Sequence, residues 1–172
     1  MDFFDVVQSR RSIRSFLDKP VEADKLHQLL EAVNRAPSAG NLQAYEIFVA
    51  CDAQRRAALA HASLGQSYVA SAPVALVFCA HPQRSATRYG ERGARLYAVQ
   101  DATIACTYAM LAATALGMAS VWIGAFSDQQ VWQAIGSPEG LEPVAILSVG
   151  YAAEQREPSR RRPLNTIVHY LD

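Results

Sequence analysis

Between Ala102 and Phe126 the chain carries no charged residue, and this gap limits what it can fold into. An uncharged run of that length either crosses a membrane or forms the centre of a packed domain. Alanine makes up much of it, Thr103, Thr107, Thr114 and Ser120 add hydroxyls, and Gly117 and Gly124 interrupt it. Insertion into lipid would gain little from such a segment, and no basic flank follows it. It reads as a buried helix over Tyr97–Leu116 that runs into a buried strand, Ala119–Ile123. Alanine on several faces means that neighbours must approach from several sides.

Those neighbours are legible on either side. Residues 2–9 predict a short helix, and Lys19-Pro20 breaks the chain. Leu26, Leu29, Leu30 and Val33 then mark an amphipathic helix over 22–35. It stops at Ala36-Pro37, because the residue before a proline is pushed out of the helical region. Ser38–Asn41 is a loop by composition. Tyr45–Cys51, Val74–Ala80 and Pro143–Tyr151 predict strands; Ala53–Ala62, Gln66–Ser71 and Ser127–Ile135 predict helices. The polar stretch His81–Arg95 reads as a partly mobile loop or lid. With 172 residues and 51% of them apolar, the chain suits a single domain, 1–172, with a substantial core. The order of elements predicts an α+β, three-layer architecture whose tail, ending in the apolar Ile167–Leu171, must pack elsewhere, on a second subunit.

Lys+Arg and Asp+Glu both number 16, so the formal net charge is zero. This argues against a general nucleic-acid binder, which needs a net basic surface. Lys19 and Lys25 are the only lysines, and the arginines cluster at Arg10/Arg11/Arg14 and at Arg156/Arg160/Arg161/Arg162. Within Arg10–Phe16 (RRSIRSF), rigid guanidinium forks and serine hydroxyls suit phosphate or carboxylate oxygens. The same cluster would also serve as a solvated basic turn at a helix end. Cys51, Cys79 and Cys106 sit in apolar segments without CxxC spacing and read as reduced, buried thiols. With an acidic start and no secretory signal, the expected location is cytoplasmic.

Most standard chemistries are missing. The chain has no P-loop and no dinucleotide-binding glycine fingerprint. His27, His61, His81 and His169 lack ligand spacing, so no metal is expected. No GxSxG motif and no exposed electropositive cysteine offers a nucleophile. What remains is Pro37–Gln43 (PSAGNLQ), whose Ser38, Asn41 and Gln43 can hydrogen-bond a polar ring without acid–base chemistry. Arginines for a phosphate and amides for a ring would place the chemistry in a cofactor, and the same loop would also serve as an ordinary helix-to-strand connection.

At this point the chain resembles the nitroreductase family of FMN-dependent oxidoreductases. The matching segments are Arg10–Phe16, Ala36–Gln43, Gln100-Asp101-Ala102, Leu116–Phe126 (LGMASVWIGAF), and Val149-Gly150-Tyr151 followed by Arg161-Arg162-Pro163-Leu164. They occur in order over nearly the whole chain. The resemblance implies a mostly antiparallel central sheet flanked by helices, in an intertwined homodimer with a swapped C-terminal tail and FMN at the subunit interface. It places Arg10, Arg11, Ser12 and Arg14 on the FMN phosphate, ribityl chain and pyrimidine edge. Pro37, Ser38, Ala39 and Asn41 would reach FMN from the partner, and Ile123 and Gly124 would present backbone N–H to flavin N5.

Arg161, with Arg160 next, would complete the phosphate site; a lysine common in the family is replaced here by Ser159. Gln66 falls where the family often has an amide on the flavin, while Arg88, Tyr89, Arg92 and Tyr97 are candidates for substrate contact. The implied activity moves two electrons from NAD(P)H through flavin N5 to a small acceptor, a nitroaromatic or quinone, with ping-pong kinetics and no catalytic side chain. A reductive dehalogenase, a flavin-fragmenting enzyme, a non-catalytic FMN-binding protein and an arginine-patch RNA binder are the competing readings.

Overall fold

The computed structural model describes Met1–Leu171. Helix α1 (Phe3–Ser9) opens on a reciprocal cap: Asp2 accepts from the Asp5 N–H at 2.9 Å, and Asp5 accepts from the Asp2 N–H. The helix α2 (Ala23–Val33) follows, then strand β1 (Tyr45–Ala50), α3 (Ala53–Ala62) and the single turn α4 (Tyr68–Ser71). Strand β2 (Val74–Ala80) leads into α5 (Pro82–Arg92), a π-helical turn at Gly93–Tyr97, and the long α6 (Ala98–Ala115). Strand β3 (Ala119–Ile123), α7 (Asp128–Ala134) and β4 (Glu142–Gly150) complete the domain.

The four strands form one sheet in the order β1-β2-β4-β3, every pairing antiparallel. Central β2 is buried along its whole length and divides its side chains between two cores. Leu76 and Phe78 face α2 and α6, where Leu29, Val33, Ala105 and Ala109 close the layer. Ala75, Val77 and Cys79 face the opposite side, with Leu59 of α3 and Val131 of α7. The result is the expected α+β sandwich of helix, sheet and helix. As the uncharged run required, α6 is buried on several sides, and among the described residues no helix is long and apolar enough to cross a membrane.

Two expectations need correction. His81–Arg95 is helix, not loop: Pro82 occupies the first turn, His81 Nδ1 accepts from the Arg84 N–H at 3.3 Å, and Arg84 pairs with Glu46 on β1. Its many arginines hid a helix anchored at its start. Cys79 and Cys106 are buried, but Cys51 is exposed, because it lies one residue past the end of edge strand β1. The tail from residue 155 to residue 171 is exposed throughout, including Tyr170 at 90% and Leu171 at 95%. Nothing among the described residues covers it.

Candidate functional site

The segment after α1 is held against the free side of β3 and the end of β4. Ser12 bridges to Ser120, the Ile13 N–H donates to Ser120 O at 3.1 Å, and the Leu17 N–H donates to Tyr151 O at 2.8 Å. This extended course aims the intervening arginines outward into a cavity of about 780 Å³. Arg10, Arg11, Ser12 and Arg14 line it from the start of the chain, and Ser159 and Arg161 line it from the tail. Arg160 is exposed and does not line it.

Five arginines of the lining (Arg10, Arg11, Arg14, Arg156 and Arg161) face two carboxylates, Glu154 and Glu157. Glu154 accepts from the Arg14 N–H at 2.6 Å and from Arg156 Nε at 3.1 Å, and these bonds hold its carboxyl below the usual range. Arg10 is lowered from its ordinary value, first by burial and then by repulsion from Arg161 and Arg11. Arg11 donates from Nη1 to Gln8 O and Arg10 O, and its buried Nε has no hydrogen-bond partner among the described residues. Crowded cations with an unpartnered donor are stabilised by an anion, so the cavity fits a phosphate.

From Arg14 the site continues toward the sheet. The Arg14 guanidinium lies over the Tyr68 ring at 5.8 Å, and the Tyr68 hydroxyl bonds to Gln66 Oε1. Gln66 Nε2 donates to Ser63 O at 2.8 Å and Ala125 O at 3.1 Å. Both ends of the Gln66 amide are therefore engaged, and they fix the turn that follows Ile123 and exposed Gly124. Tyr68 links the arginines to this turn, and nothing in the sequence pattern singles it out.

Pro37, Ser38, Ala39 and Asn41 lie elsewhere. Asp101, only 2% exposed, accepts from the Ala39 N–H at 2.9 Å and the Ala44 N–H at 3.4 Å, pinning their loop to the start of α6. Ser38 Oγ accepts from the Gln43 N–H at 2.9 Å. Asn41 (φ 55°) and Gln43 (φ 47°) are left-handed, a strained backbone typical of functional loops. Arg88, Tyr89, Arg92 and Tyr97 belong to the same region. Arg88 Nη1 donates to Gly40 O at 3.4 Å, and Arg92 Nε donates to the Tyr97 hydroxyl at 3.0 Å.

The two groups of candidate residues thus occupy opposite ends of the sheet. The loop and α5 adjoin Tyr45 and Ala80, at the level of Glu142, whereas the arginines adjoin Ala119, at the level of Gly150. Along β4 that separation is roughly 25 Å at strand rise. One chain does not bring its two groups of predicted residues together.

The sequence matches the family model described as the nitroreductase family over residues 7–70 and 60–151. An NADH dehydrogenase of Thermus thermophilus is 33% identical, the alignment covering 92% of this chain and 91% of that protein. An FMN reductase [NAD(P)H] of Bacillus subtilis is 32% identical over 92% of this chain and 69% of its own length. Among solved structures, an NADPH:FMN oxidoreductase of Vibrio harveyi complexed with NAD+ superposes with a TM-score of 0.89 at 29% identity, covering 98% of this chain and 74% of that one.

Proposed function

Because the chain belongs to the nitroreductase family, we propose that it is an FMN-dependent oxidoreductase taking electrons from NAD(P)H. The observation that carries this is the cavity where Arg10, Arg11 and Arg14 meet Arg161 of the tail, with the Arg11 Nε buried and unpartnered. That donor set suits the terminal phosphate of FMN. Relatives named for FMN reduction and for NAD(P)H oxidation support the same reading. FMN held by these residues would supply two-electron redox chemistry between NAD(P)H and a small acceptor, a nitroaromatic or quinone.

The chain's own residues bind and orient. Arg10, Arg11, Ser12 and Arg14 hold the phosphate and the polar chain attached to it, with Arg161 closing the grip. The turn at Ile123-Gly124, fixed by Gln66 and Tyr68, offers backbone N–H to the ring. Positive charge and N–H donors on one side of a ring favour negative charge there, as an oxyanion hole does. No side chain need donate or remove a proton.

Completing this site takes a second copy of the chain. A homodimer would bring the Pro37–Gln43 loop of the partner subunit to the arginine cavity. Exposed Phe3 (64%) and Phe4 (78%), with the uncovered tail, supply apolar surface for it. Purified protein should be yellow and should bleach anaerobically with NADH or NADPH. Colourless protein that cannot be loaded with FMN would end the proposal, and FMN that binds but is not reduced would leave a flavin carrier.

A further inference from the structure

Four arginines, Arg84, Arg88, Arg92 and Arg95, lie on α5 and the turn after it. Two are neutralised locally: Arg84 by Glu46, and Arg95 by Glu91 at 3.1 Å. Arg88 and Arg92 have no carboxylate partner among the described residues. Both are exposed, and each guanidinium lies 5.5 Å from a tyrosine ring centroid, Arg88 over Tyr89 and Arg92 over Tyr97. The two rings meet edge to face at 5.1 Å. A stacked guanidinium keeps its in-plane donors available for an anion.

An ordinary solvated helix face would leave such a patch without a fixed neighbour. Here it is seated on the loop at Gly40. A Cβ at Gly40 would fall 2.5 Å from Tyr89 Oη and 2.7 Å from Arg88 Nη1 and push both side-chain ends aside, and the Gly40 φ of 57° is one that favours glycine. Gly90, at φ 57° and ψ −145°, breaks the helix between the two arginines.

We propose that Arg88 and Arg92, with Tyr89 and Tyr97, select an acceptor that is a flat aromatic ring bearing an anionic group such as a carboxylate or sulfonate. This rests on the reading that the Pro37–Gln43 loop borders bound FMN. The tyrosines offer ring faces and edges to the aromatic body, and the remaining donors of the two guanidinium groups, neither paired with a carboxylate, take the charge.

The purified protein, its FMN content read by absorbance, is titrated calorimetrically with 4-nitrobenzoate and 4-nitrobenzyl alcohol, which share a ring and differ in charge. Wild type should bind the anion at least about tenfold more tightly, a ratio within reach of one charge-assisted contact. Arg88→Gln/Arg92→Gln should abolish that ratio, Arg95→Gln should keep it, and added salt should shrink it. Equal affinities in wild type, no binding of the anion, or a preference that survives the double substitution would each overturn the proposal. So would a double variant that weakens NADPH relative to NADH and spares nitrobenzoate, because the pair would then read the donor's phosphate. Protein without FMN would defeat the cofactor reading instead, and calorimetry would still report the preference because it needs no turnover.

Discussion

Arg10 and Arg161 approach each other from the two ends of the sequence, and their mutual repulsion makes an anion welcome. Arg10→Ala and Arg161→Ala should each weaken FMN retention by roughly tenfold or more, since a charged hydrogen bond contributes about 1.5–3 kcal/mol. Equilibrium dialysis against FMN measures this, and unchanged affinity in both variants would remove the phosphate grip. Asp101→Ala should lower stability by roughly 1–3 kcal/mol, because the Ala39 and Ala44 N–H groups lose their acceptor. A denaturant midpoint shows it.

Glu22 gives a pH signature. A hydrogen bond from the Tyr151 hydroxyl, more than the nearby Lys19 and Lys25, holds its carboxyl at about 2 instead of 4.5. A depressed carboxylate stabilises fully above its unfolded value and ceases to do so as pH falls through the folded one. The gap in thermal midpoint between wild type and Glu22→Gln should therefore narrow as pH drops from 4.5 to 2. A constant gap would contradict the assignment. At this scale, sequence conveyed which residue types cluster and not what each touches. The arginines and Ser38 were visible as a pattern. Tyr68 was not, because one tyrosine on a single helical turn has no periodicity to read, and the tie from Gln66 to the turn after Ile123 depends on a contact with Ala125, far along the chain.

Elements with an apolar period were readable, and those whose shape comes from partners were not. All four strands fall within a residue of their expected limits, because β-branched and aromatic runs bounded by turns have few alternatives. Helix α5 was missed because its sequence is polar and contains Gly90, while its stability comes from Pro82, the His81 cap and the pairing of Arg84 with Glu46 of β1. Phe78, fully buried in β2 against α6, shows what holds the layers together. Phe78→Ala should cost about 3–5 kcal/mol, lost transfer energy plus an incompletely filled cavity. A loss below 1 kcal/mol in urea titration would mean that the layer repacks freely.

For the whole molecule, the three-layer sandwich was deducible from the order of helices and strands, with the uncharged run supplying a buried helix and the strand after it. What covers the tail was not deducible from one chain's contacts, since Leu164, Ile167, Tyr170 and Leu171 are exposed on it. Removing residues 155–172 should lower both FMN retention and the dimer fraction in sedimentation, because Arg161 and the apolar arm leave together. A truncated protein that still dimerises and holds FMN as tightly would refute that role.

The roughly 25 Å between the arginine end and the loop end of β4 has a genetic corollary. An Arg10→Ala chain, which should lose its grip on the phosphate, and an Asp101→Ala chain, whose Pro37–Gln43 loop is unpinned and should hold FMN less tightly from the partner side, carry their lesions at opposite poles. Co-expressed, they should form mixed pairs in which one composite pocket inherits both faults and the other inherits neither. Such complementation would restore flavin to about half the pockets of each hybrid pair.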